Sequence, residues 1–175
     1  MSNYGGSYPQ TAPAPGGAPA DAGQSKKFAI IGVVGAVIAL VGSLVNWVVS
    51  GADGADGGIK GMDGDGVITL IVSIVAALAL VGALVTKKAA LYVGGAVLSL
   101  VTVVFAVLNM ADPARLVAAK AEDEGASAEQ AEKFADEAVK QLDISAGPGL
   151  YMVLIGALLT VVFGVLGFMK SRNSR

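Results

Sequence analysis

Residues 67–110 read VITLIVSIVAALALVGALVTKKAALYVGGAVLSLVTVVFAVLNM, and this stretch decides the fold. It contains two runs without Asp, Glu, Lys or Arg, at 67–85 and 89–110, separated only by Thr-Lys-Lys at 86–88. Such runs are too long and too unbroken for sheet strands or for the buried helices of a small soluble domain. They predict two antiparallel transmembrane helices joined by a tight turn at 86–88.

Two further uncharged runs, at 28–49 and 149–169, complete the pattern. The 22 positions of the first run would reach about 33 Å as a helix, enough to cross the hydrocarbon core of a bilayer. The first run is too long for the apolar core of a cleavable signal peptide, so we expect it to remain in the protein. With 54% hydrophobic residues and a mean hydropathy of +0.69, the chain is predicted to be an all-α membrane protein with four transmembrane helices.

The basic residues indicate the orientation. One side of the membrane receives Lys26, Lys27, Lys87, Lys88, Lys170, Arg172 and Arg175. The loops at 50–66 and 111–148 reach the other side and hold thirteen acids against five bases. Because flanks rich in Lys and Arg stay inside, the basic side is predicted to be cytoplasmic. We therefore expect a multi-pass protein of the plasma (inner) membrane with both termini in the cytoplasm.

The two tails differ in composition. Residues 1–27 are dominated by Pro, Gly, Ala and Ser and predict a disordered cytoplasmic tail, because they offer too little apolar surface to offset the entropy of ordering. A docking tail with tyrosine motifs is the alternative. Residues 170–175 form a short basic cytoplasmic tail.

The loop at 50–66 is acidic and rich in glycine. Its four acids are Asp53, Asp56, Asp63 and Asp65. Closely spaced aspartates are typical calcium ligands, and the stretch at 63–68 resembles the middle of an EF-hand loop. The bidentate glutamate that closes such a loop is missing, since Val72 stands there. Calcium binding by the four aspartates and a hydrated acidic turn remain the two alternatives, and we favour the second.

The loop at 111–148 predicts an amphipathic helical hairpin. Asp112-Pro113 is typical of a helix start, and Ser127 with Gln130 forms a capping-box pattern at a second start. In the second helix Phe134, Ala138 and Leu142 recur at helical spacing and form an apolar stripe. This stripe is the candidate contact surface, either for the rest of the chain or for a partner. The hairpin is net acidic, which disfavours adsorption to anionic lipid.

The predicted spans contain no ionisable group that would mark a proton or ion pathway. The chain also has no Cys and no His, which removes the usual ligands and nucleophiles of redox and hydrolytic sites. We predict no catalytic residues, no cofactor and no enzyme activity. Trp47, Tyr92 and Tyr151 are interpreted as anchors at the membrane interface.

Small residues recur four apart in the spans, as in Gly32 with Ala36 and Gly156 with Gly164. Such stripes let helices approach closely in lipid, where van der Waals contact drives association. The pattern predicts tight packing. It leaves open whether the contacts lie within the bundle or with another subunit.

The chain resembles small tetraspan membrane proteins of actinobacteria. The resemblance rests on the Tyr/Pro/Gly-rich leader, the Ala/Val/Gly-rich spans, the Asn46-Trp47 pair and the Asp-Gly loop before the second span. It is architectural, covers the whole chain and carries no catalytic motif. It implies an envelope component or an accessory subunit of a respiratory complex.

The leading hypothesis is a non-enzymatic structural or accessory protein that packs against a larger membrane complex. Its partners would be the lipid bilayer and other membrane subunits or a second copy, with no role for nucleic acid. A self-assembling, holin-like pore is a second hypothesis, and a calcium-responsive outer loop is a third.

Overall fold

The computed structural model describes residues 20–51 and 58–173. The helices are α1 Ala20–Leu44, α2 Gly66–Thr86, α3 Ala89–Ala111, α4 Ala114–Asp123, α5 Ala128–Gln141 and α6 Pro148–Asn173. The strands are β1 Asn46–Ser50, β2 Gly58–Lys60 and β3 Ile144–Ala146, and a 3-10 turn covers Gly61–Asp63.

Four of these helices are long and apolar enough to cross a membrane. The qualifying segments are Gly23–Leu44, Gly66–Thr86, Ala89–Ala111 and Pro148–Arg172. The prediction of four such helices is confirmed at this level, but the chain is mostly helical and not all-α, because it also contains a three-stranded sheet. The four helices form a ring in which α1 packs on α2 and α6, and α3 packs on α2 and α6.

The first long helix differs from its predicted range of 28–49 at both ends. It begins at Ala20, so residues 20–27 are helical rather than part of a disordered tail. Ala, Gln and Lys in this stretch have high helix propensity. The helix ends at Leu44, because residues 46–50, Asn-Trp-Val-Val-Ser, enter a sheet instead. The remainder of the predicted tail, residues 1–19, lies outside the described residues.

The other long helices lie close to their predicted bounds. Helices α2 and α3 extend the predicted ranges by no more than one residue at either end. Lys87 between them adopts φ +56° and donates its backbone N–H to the Ala83 carbonyl at 2.9 Å, which ends α2. Helix α6 continues to Asn173, past the predicted end at 169. Lys170 and Arg172 in its last turn favour this extension, since bases stabilise a helix C-terminus.

A small antiparallel sheet joins the two polar loops, with strand order β2-β1-β3. Val48 pairs with Ile59 of β2 on one side and with Ala146 of β3 on the other. No sequence pattern predicts this sheet, which connects the loops at 50–66 and 111–148. One residue separates α1 from β1 and one residue separates β3 from α6, which fixes the sheet at one end of the bundle.

We call this end of the molecule the cap. It consists of β1, β2, β3, the 3-10 turn, α4 and α5. Helices α4 and α5 pack on each other. Their apolar residues belong to one buried cluster that continues from the cap into α6, with Val48, Leu116, Leu150 and Val153 among its members. The cap is therefore part of the same packed core as the adjacent end of the bundle.

Candidate functional site

Trp47 holds the cap on the bundle. Its side chain is fully buried, and its indole Nε1–H donates to the Gly42 carbonyl oxygen at 3.1 Å. Its backbone carbonyl accepts a hydrogen bond from the Gly147 N–H at 2.7 Å. Trp47 is therefore not a lipid-facing anchor as its position suggested. It was expected at the interface because indole rings are common there, but the turn from α1 into β1 points it into the protein.

The two tyrosines that were predicted as interface anchors differ from each other in burial. Tyr92 is buried and donates its hydroxyl to the Ser25 carbonyl at 3.2 Å, so it fastens α3 to α1 instead of facing lipid. Tyr151 in the first turn of α6 is half exposed, and its role as an interface anchor stays a prediction.

Asp65 links the cap to two long helices. Its Oδ2 accepts a hydrogen bond from Asn109 Nδ2 of α3 at 3.1 Å and lies 3.6 Å from Arg115 Nη2 of α4. Asp65 itself immediately precedes α2. One carboxylate therefore connects the start of α2, the end of α3 and the start of α4.

Asp63 makes a second contact of the same kind. Its Oδ2 lies 3.7 Å from Lys120 Nζ of α4 and accepts the Lys60 backbone N–H at 3.2 Å. The 50–66 loop is thus bound to α4 by two aspartates and two bases.

These contacts bear on the proposed calcium ligands. Asp53 and Asp56 lie outside the described residues, so the full set of four stays a prediction. Asp63 forms an ion pair with Lys120 and Asp65 forms one with Arg115. Across residues 20–51 and 58–173, no group of three or more His, Cys, Asp or Glu side chains could hold a metal ion.

The small-residue stripes lie inside the bundle. A Cβ built on Gly35 would stand 2.6 Å from the Gly156 carbonyl oxygen, and one on Gly156 would stand 2.5 Å from the Ala39 nitrogen. The backbones of α1 and α6 therefore touch along this stripe. Ala36 is also buried.

The other two small positions are likewise occupied by internal neighbours. A Cβ on Gly32 would approach Leu80 Cδ1 of α2 to 2.8 Å, and one on Gly164 would approach Ala96 Cβ of α3 to 3.1 Å. The sequence left open whether these residues pack internally or against another subunit. Their contacts are internal, so these small residues already pack against neighbouring helices of the bundle.

Hydroxyl groups cross-link the interior of the bundle. Ser43 Oγ and Thr69 Oγ1 lie 2.8 Å apart and connect α1 with α2. Thr160 Oγ1 of α6 lies 3.0 Å from the Gly32 carbonyl oxygen of α1 and 2.9 Å from the Gly156 carbonyl oxygen of its own helix, so its one proton is shared between these two acceptors. Two buried polar atoms have no hydrogen-bond partner in the described part of the chain, Thr102 Oγ1 and Asn109 Oδ1.

The cap contains an apolar groove between its sheet and its two helices, with a volume of about 440 Å³. Val48, Ile59 and Ile144 line it from the sheet, and Val117 lines it from α4. This volume lies in the range of small-molecule pockets, roughly 300–1,000 Å³.

The predicted contact stripe of α5 forms one wall of this groove. Phe134, Ala138 and Leu142 all line it. Ala138 is buried, whereas Phe134 is 59% and Leu142 41% exposed. The predicted stripe is therefore divided, with its small member packed inside and its two large members open to the surroundings.

Comparison of the chain with protein-family models, curated proteins and solved structures finds no match. The function is therefore argued from the geometry of the cap and the bundle.

The sequence shows the charged residues of the cap but does not indicate which of them form ion pairs. Arg115 and Lys120 appeared as ordinary bases of an acidic hairpin, yet each pairs with an aspartate about fifty residues earlier in the chain. A usable signal was present at 46–50, where Trp, two Val and Ser follow an Asn. These residues favour a strand over a continued helix.

Proposed function

We propose that the protein is a non-enzymatic accessory or structural subunit that packs against a larger membrane complex, such as a respiratory or envelope complex. In this proposal the cap is the contact surface and the bundle anchors it in the plasma membrane. The observation that carries the proposal is the exposed Phe134 beside an apolar groove on a firmly attached module. Large exposed aromatic side chains next to an apolar pocket are typical of protein interfaces.

The firm attachment of the cap supports its proposed role as a contact surface for a partner. Trp47 is buried at the base of the sheet, and Asp65 connects α2, α3 and α4. A module held at several points loses little entropy when a partner binds, which favours affinity. The small residues of the membrane helices already pack inside the bundle, namely Gly32, Ala36, Gly156 and Gly164. The proposed interface therefore lies on the cap.

The distribution of bases supports an extracytoplasmic cap. Lys87 and Lys88 lie in the turn between α2 and α3, and Lys170 lies near the end of α6. These positions are at the end of the bundle opposite the cap. By the preference of bases for the cytoplasmic side, both chain termini would be inside and the cap outside.

We do not favour the holin-like pore. The close approach of α1 and α6 at Gly35 and Gly156 closes that side of the bundle. The interior hydroxyl of Thr160 is already bonded to the Gly32 carbonyl, so it is not available to line a channel.

The absence of Cys from the sequence makes the orientation directly testable. Gln141→Cys at the end of α5 and Lys87→Cys in the α2–α3 turn place single thiols at opposite ends of the molecule. In sealed right-side-out vesicles, a membrane-impermeant maleimide should label Gln141→Cys at once and Lys87→Cys only after the vesicles are opened. The reverse order would overturn the orientation.

The accessory-subunit proposal is tested by replacing Phe134 with a photoreactive phenylalanine analogue in native membranes. We expect one discrete adduct of higher mass after illumination, and co-migration of the protein with a larger complex after gentle detergent extraction. The matched control places the analogue at Met62, which is 40% exposed in the cap but does not line the groove. A free monomer with no adduct at position 134 would contradict the proposal.

A further inference from the structure

Two carboxylates lie at or next to the apolar groove of the cap, Glu124 among its lining residues and Asp143 between the lining residues Leu142 and Ile144 in the chain. Glu124, at the end of α4, lines it directly. Asp143 follows α5 beside Gly51, since a Cβ on that glycine would lie 2.8 Å from Asp143 Oδ2. Within the described ranges, neither Glu124 nor Asp143 has an ion-pair partner. Both are exposed.

The segment that carries Asp143 is fixed by hydrogen bonds to residues 50 and 51. The Gly51 N–H donates to the Asp143 carbonyl at 3.1 Å, and Ser50 Oγ donates to the Leu142 carbonyl at 2.8 Å. The groove also contains one base, Lys120, but Asp63 pairs with it. The groove therefore combines an apolar lining with Glu124, and with Asp143 next to it, neither of which is in an ion pair within the described ranges.

From this combination we propose that the groove binds an apolar side chain of a partner protein flanked by lysine or arginine, with Glu124 and Asp143 facing those bases. Charge complementarity at the rim of an apolar pocket sets which partner is accepted. The inference deepens the proposed function and rests on it, because it names the chemistry of the partner segment that the cap would recognise.

The other candidate occupants fit this chemistry less well. The hairpin at 111–148 holds nine acids against four bases, so the cap of a second copy would bring like charge to the same rim. An anionic lipid surface would be repelled for the same reason. Helix α1 begins and α6 ends at the end of the bundle opposite the cap, so in the proposed orientation the membrane separates these helix ends from the groove.

The test uses the full-length protein in phosphatidylcholine nanodiscs and the synthetic peptide Ac-Lys-Lys-Leu-Trp-Leu-Lys-Lys-amide. Binding is measured by calorimetry after subtraction of empty nanodiscs. We expect saturable binding that weakens as salt is raised. A peptide with Glu in place of Lys should not bind, and one with Gly in place of Leu and Trp should bind about tenfold more weakly.

Two pairs of variants locate the binding. Glu124→Lys and Phe134→Ser should each weaken binding about tenfold. Their matched controls are Glu132→Lys, an exposed acid of α5 outside the groove, and Met62→Ser, an exposed apolar side chain of the cap. Circular dichroism of each variant verifies that the fold is retained.

Three results would overturn the inference: no binding to the native protein, equal loss in Glu124→Lys and Glu132→Lys, or equal affinity for the Lys peptide and an uncharged analogue. The second result would indicate general attraction to an acidic surface, and the third an uncharged apolar ligand. Failure here is distinguishable from failure of the proposed function. If the larger complex persists in native membranes with Phe134→Ser, the accessory role stands and the groove is excluded as its interface.

Discussion

Arg115 Nη2 lies 3.6 Å from Asp65 Oδ2, and this pair joins the first turn of α4 to the residue that immediately precedes α2. Asp65 also accepts the Asn109 amide at 3.1 Å, so its carboxylate is held from two directions. The contact explains how a polar hairpin of short helices keeps a defined position on an apolar bundle. The coupling free energy between Asp65 and Arg115 therefore measures how strongly this contact attaches the cap.

A double-mutant cycle with Asp65→Asn and Arg115→Met should give a coupling free energy of about 0.5–1 kcal/mol, because the pair is partly shielded and the carboxylate is already oriented by Asn109. Chemical unfolding in detergent micelles provides the measurement. The control cycle is Glu129 with Lys133, an exposed pair within α5 expected to give roughly 0.3 kcal/mol. A coupling no larger than that of the control would show that the Asp65 contact adds nothing to cap attachment.

Trp47 is the only tryptophan in the chain, so its fluorescence reports on the base of the cap. Because the indole is fully buried, we expect blue-shifted emission and weak quenching by acrylamide in the native protein. Trp47→Ala should reduce the free energy of unfolding by about 3–5 kcal/mol, measured by circular dichroism. Strong quenching in the native protein would instead place the indole at an exposed interface.

Glycines that look alike in the sequence should respond oppositely to the same change. Gly156→Ala places a Cβ 2.5 Å from the Ala39 nitrogen and should destabilise the bundle by about 1–3 kcal/mol. Gly94→Ala, in the interior of α3, meets no atom within 4 Å and should stabilise it by roughly 0.5–1 kcal/mol. Both changes in stability are measured by thermal melting in the same detergent. A shift of the same sign in the two variants would contradict the close contact of α1 with α6.

The long helices were predictable because each is a charge-free run, and lipid allows such a run few alternatives to a helix. The tight turn at Lys87 follows from the same pattern, since only three residues separate two runs. The α5 stripe could also be predicted, because Phe134, Ala138 and Leu142 recur at helical spacing. These features depend on residues close together in the chain.

The sheet and the ion pairs could not be predicted in this way. β2 and β3 have three residues each, too few for an alternating pattern, and their pairing with β1 depends on contacts between distant segments. The division of the α5 stripe also depends on tertiary packing. Ala138 is covered while Phe134 is left open, and helical spacing alone does not distinguish them.

Two buried threonines provide the last test, because they have the same size and different surroundings. Thr160 Oγ1 has two carbonyl acceptors, Gly32 at 3.0 Å and Gly156 at 2.9 Å, whereas Thr102 Oγ1 has no partner among the described residues. Replacing threonine by valine removes the hydroxyl and keeps the shape. Thr160→Val should therefore lower the free energy of unfolding by about 0.5–1.5 kcal/mol.

Thr102→Val should raise that free energy by roughly 1 kcal/mol, because it removes a buried polar group without a hydrogen bond. Unfolding of both variants in the same detergent gives the comparison, with circular dichroism to verify an unchanged helix content. If Thr102→Val destabilised the protein as much as Thr160→Val, the Thr102 hydroxyl would have to bond a buried water in the membrane-embedded core. The two residues differ chiefly in their hydrogen bonding. The sign of the change in unfolding free energy for Thr102→Val therefore shows whether the interior around Thr102 is dry or contains a water.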